Sequence, residues 1–224
     1  MGLAAPVKFI LDLLFPPRCI FCRKLLKDDE SGWCNDCQQG LPWIVGQNEP
    51  QKFDFISQCF SVLWYQGDVR ESIHRYKFSG CSGYSEQYGR LIAQCVSDHL
   101  TGSFDYVTWV PLSKQSLKKR GYDQAKLLAV VASRELGCAA INVLVKMKNT
   151  NVQSTIKEDS ARRANVLGAY DAENSTLIEG KRILLIDDVV TTGSTLSECA
   201  RVLHMYGAKD VVCVTLARAR KTVS

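Results

Sequence analysis

The sequence predicts an α/β protein: a parallel sheet with helices on both faces, preceded by a small cysteine-rich N-terminal unit. Three observations carry this. Apolar runs of strand length at 106–112, 182–190 and 211–216 are continuous rather than alternating, as in strands buried on both faces. Stretches of helical periodicity separate them. Four cysteines (Cys19, Cys22, Cys34 and Cys37) crowd near the N-terminal end. A chain of 224 residues holds one full domain and a small unit, but not two domains of about 150 residues each. The expected division is 1–50 and 51–224.

Taken in order, residues 1–15 are apolar, with Val7, Ile10, Leu11 and Leu14 on one helical face. Lys8 and Asp12 interrupt the run, no basic segment precedes it, and Pro16-Pro17 replaces a small-residue cleavage site. A packed helix is expected there rather than an export signal, so the chain is expected to be cytoplasmic, with reduced thiols. No stretch approaches the roughly 20 apolar residues of a membrane span. Residues 41–43 and 48–50 read as linker. A strand is expected at 59–65, with Gly67-Asp68 turning into a helix that carries Val69, Ile73, Tyr76 and Lys77. A second helix is expected at 84–100, then the strand 106–112. A helix follows from about 122, then a short strand at 142–145. Last come the strand 182–190, a helix opening near Thr195 and stopping at Gly207, and the strand 211–216. A hydrophobic fraction of 46% and a charged fraction of 23% exclude disorder, collagen and simple coiled coil.

The spacing Cys19-x2-Cys22, then Cys34-x2-Cys37, places four thiolates at the corners of one tetrahedron, the geometry of zinc. Asp28, Asp29, Ser31 and Gly32 suit the returning turn. A disulfide pair conflicts with a reducing compartment, and a redox CxxC would open a helix after a strand. Four thiolates leave no open coordination position, so the zinc is expected to be structural. Cys59, Cys81, Cys95, Cys138, Cys199 and Cys213 have no ligand spacing and read mostly as small core residues. His74, His99 and His204 likewise show no ligand spacing.

The segment carrying chemistry is Ile183-Leu184-Leu185-Ile186-Asp187-Asp188-Val189-Val190-Thr191-Thr192-Gly193-Ser194-Thr195. A buried strand ends in two acids, and a hydroxyl-rich loop opens a helix. Ligands of open parallel sheets sit at the carboxyl ends of strands. Backbone N–H groups at a helix N-terminus bind anions, and Gly193 admits close approach. The loop therefore suits a phosphate. Asp187 and Asp188 suit paired sugar hydroxyls, or a Mg²⁺ that those hydroxyls bind. A P-loop needs G-x4-G-K-[ST], and Gly180-Lys181 is followed by Arg182. A receiver domain carries its acid pair after its first strand. Helix capping by Asp188 and Thr195 leaves the Thr-Thr-Gly-Ser-Thr loop unexplained.

Residues 187–195 resemble the signature of type I phosphoribosyltransferases, which bind 5-phosphoribosyl 1-pyrophosphate (PRPP). That resemblance implies that Asp187 and Asp188 address the ribose hydroxyls, as the catalytic pair, and that Thr191, Thr192, Gly193, Ser194 and Thr195 cradle the 5′-phosphate. Two further blocks narrow the family. Val110-Pro111-Leu112-Ser113 with Arg120-Gly121-Tyr122-Asp123-Gln124, and Asn149-Thr150-Asn151-Val152-Gln153 with Arg162-Arg163-Ala164-Asn165-Val166, resemble the competence protein F (ComF) family. Asp123 departs from that pattern, where relatives usually carry Asn, and many relatives have further cysteine pairs. The resemblance implies a type I phosphoribosyltransferase-like fold behind a zinc ribbon, with Mg²⁺–PRPP as ligand. It also implies pyrophosphate held by the loop after Pro111, through Ser113 and Lys114, and a mobile hood formed by the later block.

Charge agrees with a phosphate-rich ligand. The net charge is +5, and the surplus lies beyond residue 100, where 18 Lys/Arg face 12 Asp/Glu. Lys114, Lys118, Lys119 and Arg120 stand together without an acid, and Lys146, Lys148, Lys157, Arg162 and Arg163 face only Glu158 and Asp159. These blocks are expected in loops, around pyrophosphate or a nucleic-acid backbone. Arg218, Arg220 and Lys221 extend the basic surface, and Tyr122 and Trp33 are candidate stacking residues, each also readable as packing. Two roles follow from the resemblance. One is a PRPP-binding protein of natural transformation, handling incoming single-stranded DNA in the cytoplasm alongside DNA-uptake or recombination proteins. The other is an active phosphoribosyltransferase in nucleotide or other metabolism, or a relative used in carbohydrate utilisation.

Overall fold

A computed structural model describes residues 16–44, 50–147 and 166–220. The expected N-terminal helix at 1–15, the second family block at 149–166 apart from Val166, and Lys148, Lys157, Arg162, Arg163 and Lys221 lie outside the described residues.

Five strands form the main sheet: β1 (Gln51–Phe53), β2 (Ile56–Trp64), β3 (Tyr106–Trp109), β6 (Arg182–Val190) and β7 (Asp210–Arg218), in the order β1-β2-β7-β6-β3. β2, β7, β6 and β3 run parallel, as expected. β1 adds an antiparallel edge strand. A second sheet pairs β4 (Leu144–Lys146) with β5 (Tyr170–Ala172).

Side chains alternate across β6, and this builds two cores. Leu184 and Ile186 face a cluster with Val212, Val214 and Leu216. The helices α2 (Gly67–Phe78), α3 (Tyr84–His99) and α5 (Gln124–Glu135) cover it with Val69, Ile73, Tyr76, Ile92 and Leu128. Ile183 and Leu185 face the other way, with Val211 and Cys213, under α6 (Ser194–Met205) through Leu196, Cys199, Ala200 and Leu203. The sheet is therefore covered on both faces. Among the described residues no helix is long and apolar enough to cross a membrane.

The cysteine unit, which includes the short α1 (Asn35–Gly40), merges with the first core. Cys19, Ile20 and Phe21 are buried in the same cluster as α2 and α3, and the Phe21 ring lies 6.0 Å from Tyr88. Ser72 Oγ donates to the Ile20 carbonyl. Arg75 Nη2 donates to the carbonyls of Ile20 at 2.9 Å and Phe21 at 2.6 Å.

Two expectations change. Residues 114–120 form a helix, α4 (Lys114–Arg120), not a loop. Ser113 caps it by accepting from Ser116 N at 3.2 Å, and Gly121 ends it in the left-handed region. β3 stops at Trp109, short of Leu112, because Pro111 has no N–H to give a ladder. Cys59, Cys95, Cys199 and Cys213 are buried as expected, whereas Cys81 and Cys138 are partly exposed. Each histidine packs on a neighbour: His74 on Phe78, His99 on Phe60, and His204 between the carbonyls of Phe55 and Ala208.

Candidate functional site

The strand β6 continues two residues past its acid pair, so Asp187 and Asp188 stand inside the strand rather than at its end. Thr191 to Thr195 then wrap the N-terminus of α6, and with Asp187 they line one pocket. The N-cap of α6, Gly193, has no side chain to cap its first turn, and Thr192 Oγ1 accepts from Ser194 N at 3.4 Å. Thr192 Oγ1 lies 2.9 Å from Ser194 Oγ, which holds the loop tight. The N-terminal end of α6 thus opens on the pocket, where a bound anion gains from the helix dipole and from backbone donors it takes up. Gly193 has φ +82°, and a Cβ there would sit 2.2 Å from the Phe53 ring. The turn needs glycine twice over, for its backbone conformation and for the close approach of β1.

The acids are not alone. Lys77, from the last turn of α2, places Nζ 2.7 Å from Asp188 Oδ1, with side-chain exposures of 18% and 11%. Burial, then the charge of Asp188, pushes Asp187 up to about 8, while Lys77 and the Asp188 N–H oppose the rise. Asp123 caps α5 with Oδ1 accepting from Lys126 N at 3.1 Å, and its Oδ2 accepts from Leu112 N at 3.0 Å. Both oxygens are used. An Asn would supply one acceptor, so Asp123 ties the loop after β3 to α5 in a way the usual residue would not. Burial, and secondarily the charge of Asp188, raises Asp123 as well. Burial pushes the Lys146 ammonium down, against the pull of Cys199 and Asp187. It lies 5.1 Å over the Tyr170 ring.

A cavity beside the acid pair is lined by Lys114, Lys126, Lys146, Asp123, Tyr122 and Trp109, among others. Among the predicted residues, Lys114 joins this cavity. The Ser113 hydroxyl is engaged in its helix cap. Lys118 and Lys119 are exposed on α4 and do not line the cavity. Arg120 donates to Gln124 Oε1 at 2.9 Å and lies 4.9 Å over Phe78. Tyr122 packs on Tyr76 and Trp33 on Phe21, so both serve as packing here. Sequence reasoning missed the roles of Lys77 and Phe53 at this site, whereas Lys146, expected among the cations around a phosphate-rich ligand, does line the cavity. The available signal for Lys77 was its place beside Tyr76 on the inward face of a helix.

The four sulfurs of Cys19, Cys22, Cys34 and Cys37 lie within 4.8 Å of one another, and three of these residues are buried. Cys19 and Cys37 Sγ are 3.6 Å apart, as are Cys22 and Cys34. Zn–S bonds of about 2.3 Å in a tetrahedron put sulfurs roughly 3.8 Å apart, so the set fits zinc. Burial raises the Cys19 thiol, but backbone N–H groups of Cys22, Cys34 and Phe21 outweigh it and bring the thiol down to about 7. Such N–H donors favour the thiolate that binds metal.

Sheet, loop and ribbon together define a phosphoribosyltransferase-like protein with a structural zinc site. Residues 123–224 match the family model described as phosphoribosyl transferase domain, and residues 10–50 match the double zinc ribbon domain. The chain is 31% identical to the DNA utilization protein YhgH of Escherichia coli O157:H7, over 92% of this chain and 99% of that one. It is 28% identical to Competence protein F of Haemophilus influenzae, over 90% of this chain and 97% of that one. Competence protein ComFC of Streptococcus pneumoniae is also 28% identical, over 87% of this chain and 91% of that one. The chain belongs to the competence protein F family.

Two outcomes follow from this geometry. Metal analysis should find one zinc per chain, lost in Cys19→Ser. A loss of about 2 kcal/mol with the metal would lower the melting temperature by roughly 4–8 °C in a chain of this size. The second concerns pH. The folded state holds the Asp187 proton to about 8, against an ordinary carboxylate value of 3.8. The unfolded chain releases it first, so the stability this group contributes below about 4 is lost as pH rises through about 8. Melting curves across that window should flatten in Asp187→Asn; an unchanged slope would assign the proton elsewhere.

Proposed function

We propose that this protein binds PRPP with Mg²⁺ at the C-terminal edge of its sheet and serves natural transformation by handling incoming single-stranded DNA in the cytoplasm. The observation that carries the ligand is the pairing of a carboxylate pair with a glycine-opened helix N-terminus at the end of one central strand. In this reading the N–H groups and hydroxyls of Thr191, Thr192, Gly193, Ser194 and Thr195 hold the 5′-phosphate. Asp187 and Asp188 hold the ribose hydroxyls. Lys114 and Lys146, lining the neighbouring cavity, balance the pyrophosphate, with Ser113 shaping that loop. Mg²⁺, when bound, supplies further charge neutralisation to the ligand oxygens.

The DNA role is supported by the names of the relatives and by the basic surface. Lys118 and Lys119 stand exposed on α4. Trp64 is flanked by two guanidinium groups, Arg218 at 5.4 Å and Arg220 at 5.1 Å. Trp64 and Arg218 pair at the ends of β2 and β7, on the sheet edge that also carries the Thr191–Thr195 loop. An indole with two cations close to its ring suits nucleic acid, which brings bases and phosphates together.

Turnover is the second reading, favoured by the lysine-lined cavity. A nucleophile would attack C1′ of PRPP, the bond from C1′ to the pyrophosphate oxygen would break, and the electron pair would leave with pyrophosphate. Lys114 and Lys146 would stabilise that developing charge. Pyrophosphate release from PRPP against a panel of bases, amines and DNA separates the two readings: release marks a transferase, and binding without release marks a PRPP-binding module.

PRPP with Mg²⁺ at 100 times its Kd should add about 2.7 kcal/mol of stability, read as a rise in melting temperature. Asp187→Asn with Asp188→Asn should abolish the rise, and no rise in the wild type would refute the ligand. Lys118→Glu with Lys119→Glu should weaken single-stranded DNA binding and reduce its salt slope by roughly one unit per lost phosphate contact. Unaltered salt dependence would remove α4 from the DNA surface.

A further inference from the structure

The helix α2 touches two sites that are far apart in the sequence. Arg75 donates to two carbonyls of the first cysteine knuckle, Ile20 and Phe21, and Ser72 donates to the first of them. Lys77 holds Asp188. Residues two apart on a helix face different ways, so one turn of α2 reaches the ribbon on one side and the acid pair on the other. The same turn is fixed to α5. Tyr76 Oη donates to the Gln124 carbonyl at 2.9 Å, and Tyr122 Oη donates to the Tyr76 carbonyl.

Each contact is costly to lose. The Lys77–Asp188 pair is largely shielded from water. Removing the ammonium would leave two adjacent carboxyl groups with Asp123 as a further negative neighbour and little to compensate them. Arg75 Nε is buried with no described partner, so the guanidinium depends on the two knuckle carbonyls through its Nη2. Those carbonyls belong to the residues between Cys19 and Cys22, and the metal-binding geometry of the two cysteines fixes where they point.

We propose that α2 couples the zinc ribbon to the ligand pocket, with Arg75 fixing the helix to the first knuckle and Lys77 acting as a positioning residue for Asp188. The ribbon is then part of the pocket's scaffold. This rests on the reading of the pocket as a PRPP site, and its test separates the two.

The test is a double-mutant cycle on the full zinc-loaded chain, using Arg75→Met, Lys77→Met and the pair, with Lys77→Arg as the conservative variant. Two readouts are taken: PRPP affinity by calorimetry in Mg²⁺, and amide hydrogen exchange of residues 187–195 without ligand. Lys77→Met should weaken PRPP by roughly tenfold, and Lys77→Arg should recover most of it. Arg75→Met should weaken PRPP several-fold with one zinc still bound, and should speed exchange at 187–195. The double variant should be no worse than Lys77→Met, because the coupling is already cut. If the two losses multiply, the ribbon does not act through Lys77. If Lys77→Met leaves both readouts unchanged, Lys77 positions nothing. If the wild type binds no PRPP, the ligand reading fails, while the exchange cycle still decides the coupling. Should Arg75→Met lose zinc, Ser72→Ala, which removes one bond to the Ile20 carbonyl and one to Tyr88 Oη on α3, takes its place in the cycle, with Tyr88→Phe as the control for the second bond.

Discussion

Two adjacent carboxyl groups that follow an apolar run within one central strand are the constraint around which this molecule is arranged. Ile183 to Ile186 precede them fully buried, so the strand carries Asp187 and Asp188 toward the interior's edge with little water to stabilise their charge. The fold answers in two ways. Lys77 meets Asp188 directly, and Asp187 keeps its proton to unusually high pH. The lysine must come from a helix crossing that end of the sheet, which sets where α2 lies. With α2 placed, Arg75 and Ser72 meet the cysteine knuckle. The ribbon's position is thus linked to the charge of a strand more than a hundred residues away in sequence.

The same strand explains the anion site. Continuing past the acids to Val190, β6 delivers the chain into a turn only glycine can make, with Phe53 closing over it. α6 then begins at Ser194, with the positive end of its dipole at the pocket that Thr191 to Thr195 line. A polyanionic sugar phosphate suits this edge because donors, carboxyl groups and cavity lysines occur in sequence across it. The ring of charge is mixed in sign, which favours a ligand that also brings a cation.

Much of this was legible in the residues. Continuous apolar runs identified β6 and β7, since a strand covered on both faces has no polar alternation to confuse it. The Thr-Thr-Gly-Ser-Thr loop and the paired CxxC knuckles were legible because their chemistry is local. Long-range features were not. Nothing in Gln51–Phe53 or Tyr170–Ala172 announces a three-residue strand, because such strands gain their order from partners, β2 and β4, rather than from their own pattern. Lys114–Arg120 read as a loop because its charges dominate, although Ser113 and Gly121 supply a cap at each end. Lys77 looked like one more basic helix residue. Its role depends on a carboxylate contributed by residue 188, and no spacing rule joins them.

The central claim is that the N-terminus of α6 and the acid pair hold one sugar phosphate together. It is tested most directly by following backbone amide resonances as PRPP and Mg²⁺ are added. The amides of Gly193, Ser194, Thr195 and Leu196 should move downfield as their N–H groups take up phosphate, with Asp187 and Asp188 changing over the same concentration range. Shifts confined to α4 and the ends of β2 and β7, with the loop silent, would contradict it.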